Sequence, residues 1–142
     1  MAKLILFLIS ILQLSVYILS DYLGVPDERI FSLDKEDSSK FTIKLNKEFI
    51  LKVNGNPTTG YSWYLSANSD EINLKCLNLN KWKSSENYVV DKHETGFVGV
   101  GGTYYFKFQG VKEGTYDMTL IKKRAWEPEA IQTKNIQVEI KN

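Results

Sequence analysis

From Phe41 onward, apolar side chains in this 142-residue chain recur at every second position, in short runs. Phe41, Ile43 and Leu45 form one run; Phe49, Leu51 and Val53 the next; then Tyr61, Trp63 and Leu65. Tyr104, Phe106 and Phe108 continue the series, followed by Tyr116, Met118 and Leu120, and by Ile136, Val138 and Ile140. A strand turns successive side chains to opposite faces, so a period of two over a few residues marks a strand with one buried face. Arg29–Leu33 adds an edge strand and Ile72–Leu79 a further apolar stretch, and no segment after residue 20 sustains the helical period. Turn residues separate the runs at Asn54-Gly55-Asn56-Pro57, Gly99 to Gly102, Gly110, Gly114 and Glu127-Pro128. Seven to eight short strands in about 120 residues predict an all-β fold, a β-sandwich.

Residues 1–20 stand apart. Lys3 and the amino terminus carry positive charge, Leu4–Leu19 is apolar except for Ser10, Gln13 and Ser15, and Asp21 opens a polar stretch. This is the pattern of a secretory signal peptide. The apolar segment as a helix spans about 24 Å, short of the roughly 30 Å hydrocarbon core. Cleavage after Ser20 is therefore the expectation, with an uncleaved signal-anchor as the alternative. The organisation that follows is a leader over 1–20 and one domain over 21–142, with its core from about residue 30. The expected location is the secretory pathway, either secreted or in vesicles of the lysosome or phagosome type.

Charge and cysteine content exclude several function classes. Loss of residues 1–20 removes Lys3 and no acid, leaving 17 basic and 17 acidic residues. Such a balance gives no electrostatic reason for a nucleic-acid partner, and no membrane partner is expected once the leader is gone. A single cysteine excludes an internal disulfide, so the domain must hold by its core alone. Cys76 falls on the apolar side of the Ile72, Leu74, Cys76 alternation and reads as a small buried hydrophobe. Trp63 lies mid-strand, where immunoglobulin-like sandwiches bury a tryptophan, and reads as core. Asn56-Pro57-Thr58 is excluded as a glycosylation sequon by its proline. A monomer is expected.

Catalysis has little to build on. His93 is the only imidazole and lies in the charged segment Asp91–Glu94, and neither a nucleophile elbow nor a phosphate-cradling loop is present. No enzyme, metal site or cofactor is expected. Lys122-Lys123-Arg124 is a short basic run, and its two lysines read as a solvated strand edge.

Three loops differ from ordinary turns. In Asn54–Gly60, Pro57 fixes its own φ and restricts Asn56, Thr58 and Thr59 are stiff at χ1, and Gly60 permits a positive φ before the next strand. Gly99-Val100-Gly101-Gly102 opens its backbone to close approach by another surface. Arg124-Ala125-Trp126 has the composition of a binding hot spot. By composition alone each loop reads equally as a turn or as a contact surface.

Together, Asn56-Pro57-Thr58-Thr59-Gly60-Tyr61, Gly99-Val100-Gly101-Gly102 and Arg124-Ala125-Trp126 resemble the loop motifs of the chagasin-type inhibitors of papain-like cysteine peptidases. The family's motifs are Asn-Pro-Thr-Thr-Gly-aromatic, Gly-x-Gly-Gly and Arg-Pro-Trp, in that order, and the resemblance covers about residues 30–142. One departure is Ala125, where the family has proline. The resemblance implies an immunoglobulin-like β-sandwich with the three loops side by side at one end. It implies a reversible, tight-binding inhibitor of cathepsin L-type peptidases that blocks their cleft. Thr58 would then sit nearest the catalytic Cys and His, shaped by Pro57, Thr59 and Gly60. Gly99 to Gly102 would run along the cleft, Trp126 would stack on aromatic residues of the primed side, and Arg124 would support its loop or meet acidic groups. The alternative is an immunoglobulin-like binding or adhesion module with a non-protease partner, which need not use the three loops together.

Overall fold

The computed structural model describes residues 24–70, 73–77, 87–91, 96 and 99–142. The leader reading for residues 1–20 and the reading of His93 lie outside these described residues. The period-two runs form β1 (Ile30–Ser32), β2 (Ser38–Lys44), β3 (Glu48–Gly55), β4 (Tyr61–Leu65), β5 (Leu74–Cys76), β7 (Gly102–Gly110), β8 (Gly114–Arg124) and β9 (Gln132–Lys141). A ninth strand among the described residues, β6 (Tyr88–Val90), goes beyond the seven to eight expected. Three residues are too few to display a period, which is why β6 is invisible in the alternation.

Two sheets stack as a sandwich. One has the order β1-β3-β7-β5, with β6 also paired to β7; the other has the order β2-β9-β8-β4. Along the outer side of β7, β6 covers the Gly102–Tyr104 end and β5 the Phe108–Gly110 end. The edge pairs β1–β3 and β2–β9 are parallel, and all others are antiparallel.

The core lies between the sheets. Phe49, Leu51 and Val53 of β3 and Tyr104, Phe106 and Phe108 of β7 meet Trp63, Met118, Leu120, Ile136, Val138 and Ile140 from the opposite sheet, all buried. Phe49 and Phe108 are register partners whose rings stack with centroids 5.6 Å apart. At the open side of the sandwich Phe31 of β1 stacks on Phe41 of β2 at 4.3 Å, joining the two sheets. Trp63 is core as expected, at 2% exposure. Cys76 is half-buried against the core, its Sγ 3.5 Å from the Lys107 carbonyl oxygen.

The polar stretch before β2 is more engaged than its composition suggests. Val25 and Ile30 cover Ile50 and Tyr105, which form a second cluster apart from the main core. Leu33 is buried within the main core. On β9, Lys134 continues the buried series of Ile136, Val138 and Ile140, and its ammonium donates at 2.8 Å to both the Glu36 carbonyl and Asp37 Oδ1. That pair ties the link between β1 and β2 to the opposite end of the sequence.

One expectation is corrected here. Lys122 and Lys123 do not lie on a strand edge, because β8 is an interior strand flanked by β4 and β9. Lys122 Nζ lies 5.8 Å from the Trp63 ring centroid, and Lys123 Nζ donates to the Glu127 carbonyl at 3.2 Å. A strand's place in a sheet is set by distant partners, which a local charge run does not reveal.

Candidate functional site

The loop from β3 to β4 crosses from one sheet to the other and is braced by its own side chains. Asn56 is extended, at φ −141° and ψ 96°, as a residue preceding proline must be. Pro57–Thr59 then make a single 3-10 turn. Asn56 Oδ1 accepts from the Thr58 amide at 3.1 Å and the Thr58 hydroxyl at 2.6 Å, the geometry of an N-cap. The Asn56 carbonyl accepts from the Thr59 amide at 3.2 Å and the Thr59 hydroxyl at 2.7 Å. Gly60 reverses the chain at φ 83°, its N–H donating to the Pro57 carbonyl at 2.9 Å. Each polar residue of the first motif thus has a bonding task within the turn.

The second loop docks on the first. Asn56 Nδ2 donates to the Gly99 carbonyl at 2.7 Å, so one side chain caps its own turn and holds the neighbouring loop. Gly102 pairs with Gly55 on one side and Val90 on the other. A Cβ at Gly102 would overlap the Val89 carbonyl and the Tyr88 ring, so only glycine fits there. Tyr88 in turn donates its hydroxyl to the Gly55 carbonyl at 3.4 Å.

The third loop meets the first from the other sheet. Arg124, the last residue of β8, is the register partner of Tyr61. Its guanidinium carbon lies 4.5 Å from the Tyr61 ring centroid and 6.0 Å from that of Trp126. The position a Cβ would take on Gly60 is 3.5 Å from both Arg124 Nε and the Trp126 ring. Trp126 projects outward, 73% exposed. The Glu127 N–H closes the turn onto the Arg124 carbonyl at 3.1 Å, and its carboxylate pairs with Arg124 Nη1 at 3.1 Å. Ala125 is exposed within this turn.

Thr58, Gly101 and Trp126 therefore belong to one end of the sandwich, joined through Asn56, Gly60 and Arg124. Beneath this end lies a residue outside the motifs. Asn54 donates its N–H to Asp34 Oδ1 at 2.8 Å, accepts at its carbonyl from Trp63 Nε1 at 3.0 Å, and accepts at Oδ1 from the Thr103 hydroxyl at 3.1 Å. Asn54, Asp34, Thr103 and Glu127 support the loops; the sequence marked Asn54 and Glu127 as turn residues but gave none of the four this role. The one local signal was the three-residue spacing from Arg124 to Glu127, which suits a closed turn.

The electrostatics of this end are quiet. Asn56–Gly60 and Gly99–Gly102 carry no ionisable side chain, and Arg124 is paired in place by Glu127. Burial pushes the phenols of Tyr88 and Tyr104 up from their ordinary value, with Asp91 adding to the shift at Tyr88, so both stay neutral. Among the described residues no group of three or more His, Cys, Asp or Glu is placed to hold a metal ion. The arrangement is that of a stiff wedge whose first loop carries no charge, with the Asp91 carboxylate beside Gly101 and an exposed indole on one flank.

Comparison with known proteins gives a consistent picture. The family model described as chagasin family peptidase inhibitor I42 matches residues 42–140, a span that contains all three loops. Amoebiasin-1 of Entamoeba histolytica is 37% identical over 99 residues, covering 67% of this chain and 84% of that protein. The fold resembles the crystal structure of EhICP2, a cysteine protease inhibitor from Entamoeba histolytica, with TM-score 0.59 and 19% identity over 80% of this chain and 94% of that one. It also resembles PbICP-C in its complex with falcipain-2, with TM-score 0.53 and 19% identity over 80% of this chain and 99% of that one.

Proposed function

Because the chain belongs to the chagasin family of cysteine-peptidase inhibitors, a family of inhibitors and not of enzymes, we propose that its three-loop end plugs the active-site cleft of papain-like peptidases. Inhibition is reversible and noncovalent. The observation that carries this reading is the joining of the loops: Asn56 binds the second, and Gly60 packs under Arg124 and Trp126 of the third. A binding module of another kind has no need to bring these three motifs together.

The geometry supports blocking without cleavage. A substrate must lie extended with a carbonyl aimed at the thiolate, whereas Pro57–Thr59 is curled and the Asn56 and Pro57 carbonyls are occupied by the loop's own donors. In this reading Thr58 sits nearest the catalytic Cys and His, with Pro57, Thr59, Gly60 and Tyr61 shaping the loop around it. Gly99, Val100, Gly101 and Gly102 contribute backbone along the cleft, and Trp126 covers the primed side. An uncharged tip meets a thiolate–imidazolium pair without burying a charge of its own, which would cost several kcal/mol. Loops ordered before contact lower the entropic cost of association. Rigid strands beneath supply that order.

The interface is expected to bury about 1,600 Å² in total, as in other protease–inhibitor pairs. The inhibitor works as a monomer in the secretory pathway, secreted or in acidic vesicles, after loss of residues 1–20. The test is titration of the purified protein against papain and a cathepsin L-type enzyme, with a serine protease as control. Tight, reversible loss of cysteine-peptidase activity alone supports the proposal. No inhibition, or a complex structure with Asn54–Gly60 outside the cleft, overturns it.

A further inference from the structure

We infer that Glu127 is the positioning residue that orders the third loop, in place of the proline that the family's motif carries at position 125. For its affinity readout this assignment rests on the inhibitory reading of the three-loop end; its structural readout does not.

Arg124-Ala125-Trp126-Glu127 is a four-residue turn closed by the Glu127 N–H on the Arg124 carbonyl. Its second position is where proline is favoured, because the ring presets φ. Alanine there leaves φ free, so the turn needs restraint from elsewhere. Glu127 supplies it through all three of its polar groups. Besides the N–H, its carboxylate holds Arg124 Nη1 at 3.1 Å and its carbonyl receives Lys123 Nζ at 3.2 Å. Both partners close β8, whose register is fixed by the pairing of Lys123 with Ser62 and of Arg124 with Tyr61. The turn is therefore tied back to a strand and not merely to itself.

The consequence reaches Trp126. The indole is largely exposed; the Arg124 guanidinium carbon lies 6.0 Å from its ring centroid, and its edge comes within 3.5 Å of where a Cβ on Gly60 would sit. Arg124 is itself set between Tyr61 and the Glu127 carboxylate. Glu127 thus aims Trp126 through Arg124 and neutralises the guanidinium, so that the third loop offers an indole without net charge. The Arg124–Glu127 pair is about one-third exposed on each side, so its effect is modest and best read as loop order.

The experiment compares the full chain with Glu127→Ala, Glu127→Gln, Ala125→Pro and the Glu127→Ala, Ala125→Pro double variant. Heteronuclear NOEs of the amides at positions 126 and 127 report order, and association rates with papain report pre-organisation. Glu127→Ala is expected to lower both NOEs and to slow association about three- to fivefold, the size of one exposed ion pair or one turn proline. Glu127→Gln, which keeps a side-chain oxygen to accept from Arg124 Nη1 and loses the charge, falls between. Ala125→Pro raises order and rate more in the Glu127→Ala background than in the parent chain. Unchanged NOEs in Glu127→Ala, or a proline effect equal in both backgrounds, overturn the assignment. If the unsubstituted chain fails to inhibit papain, the inhibitory reading falls, and the NOE comparison alone decides the role of Glu127.

Discussion

Replacing Gly60 by alanine tests whether the first loop owes its shape to a backbone state that only glycine adopts freely. Gly60 sits at φ 83° and ψ −10°, in the left-handed region. An L-residue there costs about 1–2 kcal/mol. Alanine also has less freedom than glycine in the unfolded chain, which returns about 0.4–1 kcal/mol. Sterics add little, because the new Cβ would lie 3.5 Å from Arg124 Nε and the Trp126 ring, an ordinary contact. The net loss is then about 0–1.6 kcal/mol, with a midpoint of about 0.8 kcal/mol. At that midpoint the fall in Tm is about 2–5 °C for a domain of this size. Asparagine enters the left-handed region more readily, so Gly60→Asn should recover much of the loss. Thermal unfolding of the three proteins side by side is the assay. An alanine variant as stable as the parent, or an asparagine variant less stable than the alanine one, would refute the conformational account.

Trp126→Ala should leave stability within about 0.5 kcal/mol, because the side chain is largely exposed, while weakening inhibition by at least about 2 kcal/mol as a hot spot. Paired thermal melts and inhibition constants check both halves. Thr58→Asp should cost about 2–5 kcal/mol of affinity by placing an unpaired charge in the cleft, against about 0–1 kcal/mol for Lys122→Ala, measured as inhibition constants on one peptidase. The hydrogen bond and the charge of Lys134 hold the Asp37 carboxyl below its ordinary value. Its contribution is therefore full above about pH 4 and is lost as the pH falls through the lowered folded-state pKa. Asp37→Asn should be less stable than the parent at pH 7, with the difference narrowing as the pH falls below about 4, by urea unfolding across that range.

The alternation was enough to place most strands and most of the core, because burial of one sheet face imposes a period of two wherever a run is long enough. Phe49, Leu51 and Val53, or Ile136, Val138 and Ile140, are legible for that reason. Ile50 and Tyr105 break the rule, since a second apolar cluster of Val25 and Ile30 covers them. Such cover comes from another part of the chain and leaves no local mark. Loop chemistry was partly legible: Pro57 and Gly60 foretell a stiff turn with a positive φ, as found. What no local pattern showed is that Asn56 reaches Gly99, that Arg124 lies over Tyr61, or that Asn54 gathers Asp34, Trp63 and Thr103. Those contacts join segments far apart in sequence, and only the family resemblance pointed to loops meeting at one end. The misplacement of Lys122 and Lys123 on an edge has the same origin, because sheet order is a property of the whole fold.

The parallel pairing of β2 with β9 has a bearing on how the molecule is made. Thr42 faces Glu139 across that ladder, 97 residues further along the chain, and β9 lies between β2 and β8. During synthesis β2 emerges with no strand to join, and its ladder forms only when β9 has cleared the ribosome. Pairings of such long separation close slowly and leave strand edges bare meanwhile. Until then the edge of β2 stays bare, and truncation within β9 would leave β2 without a partner strand.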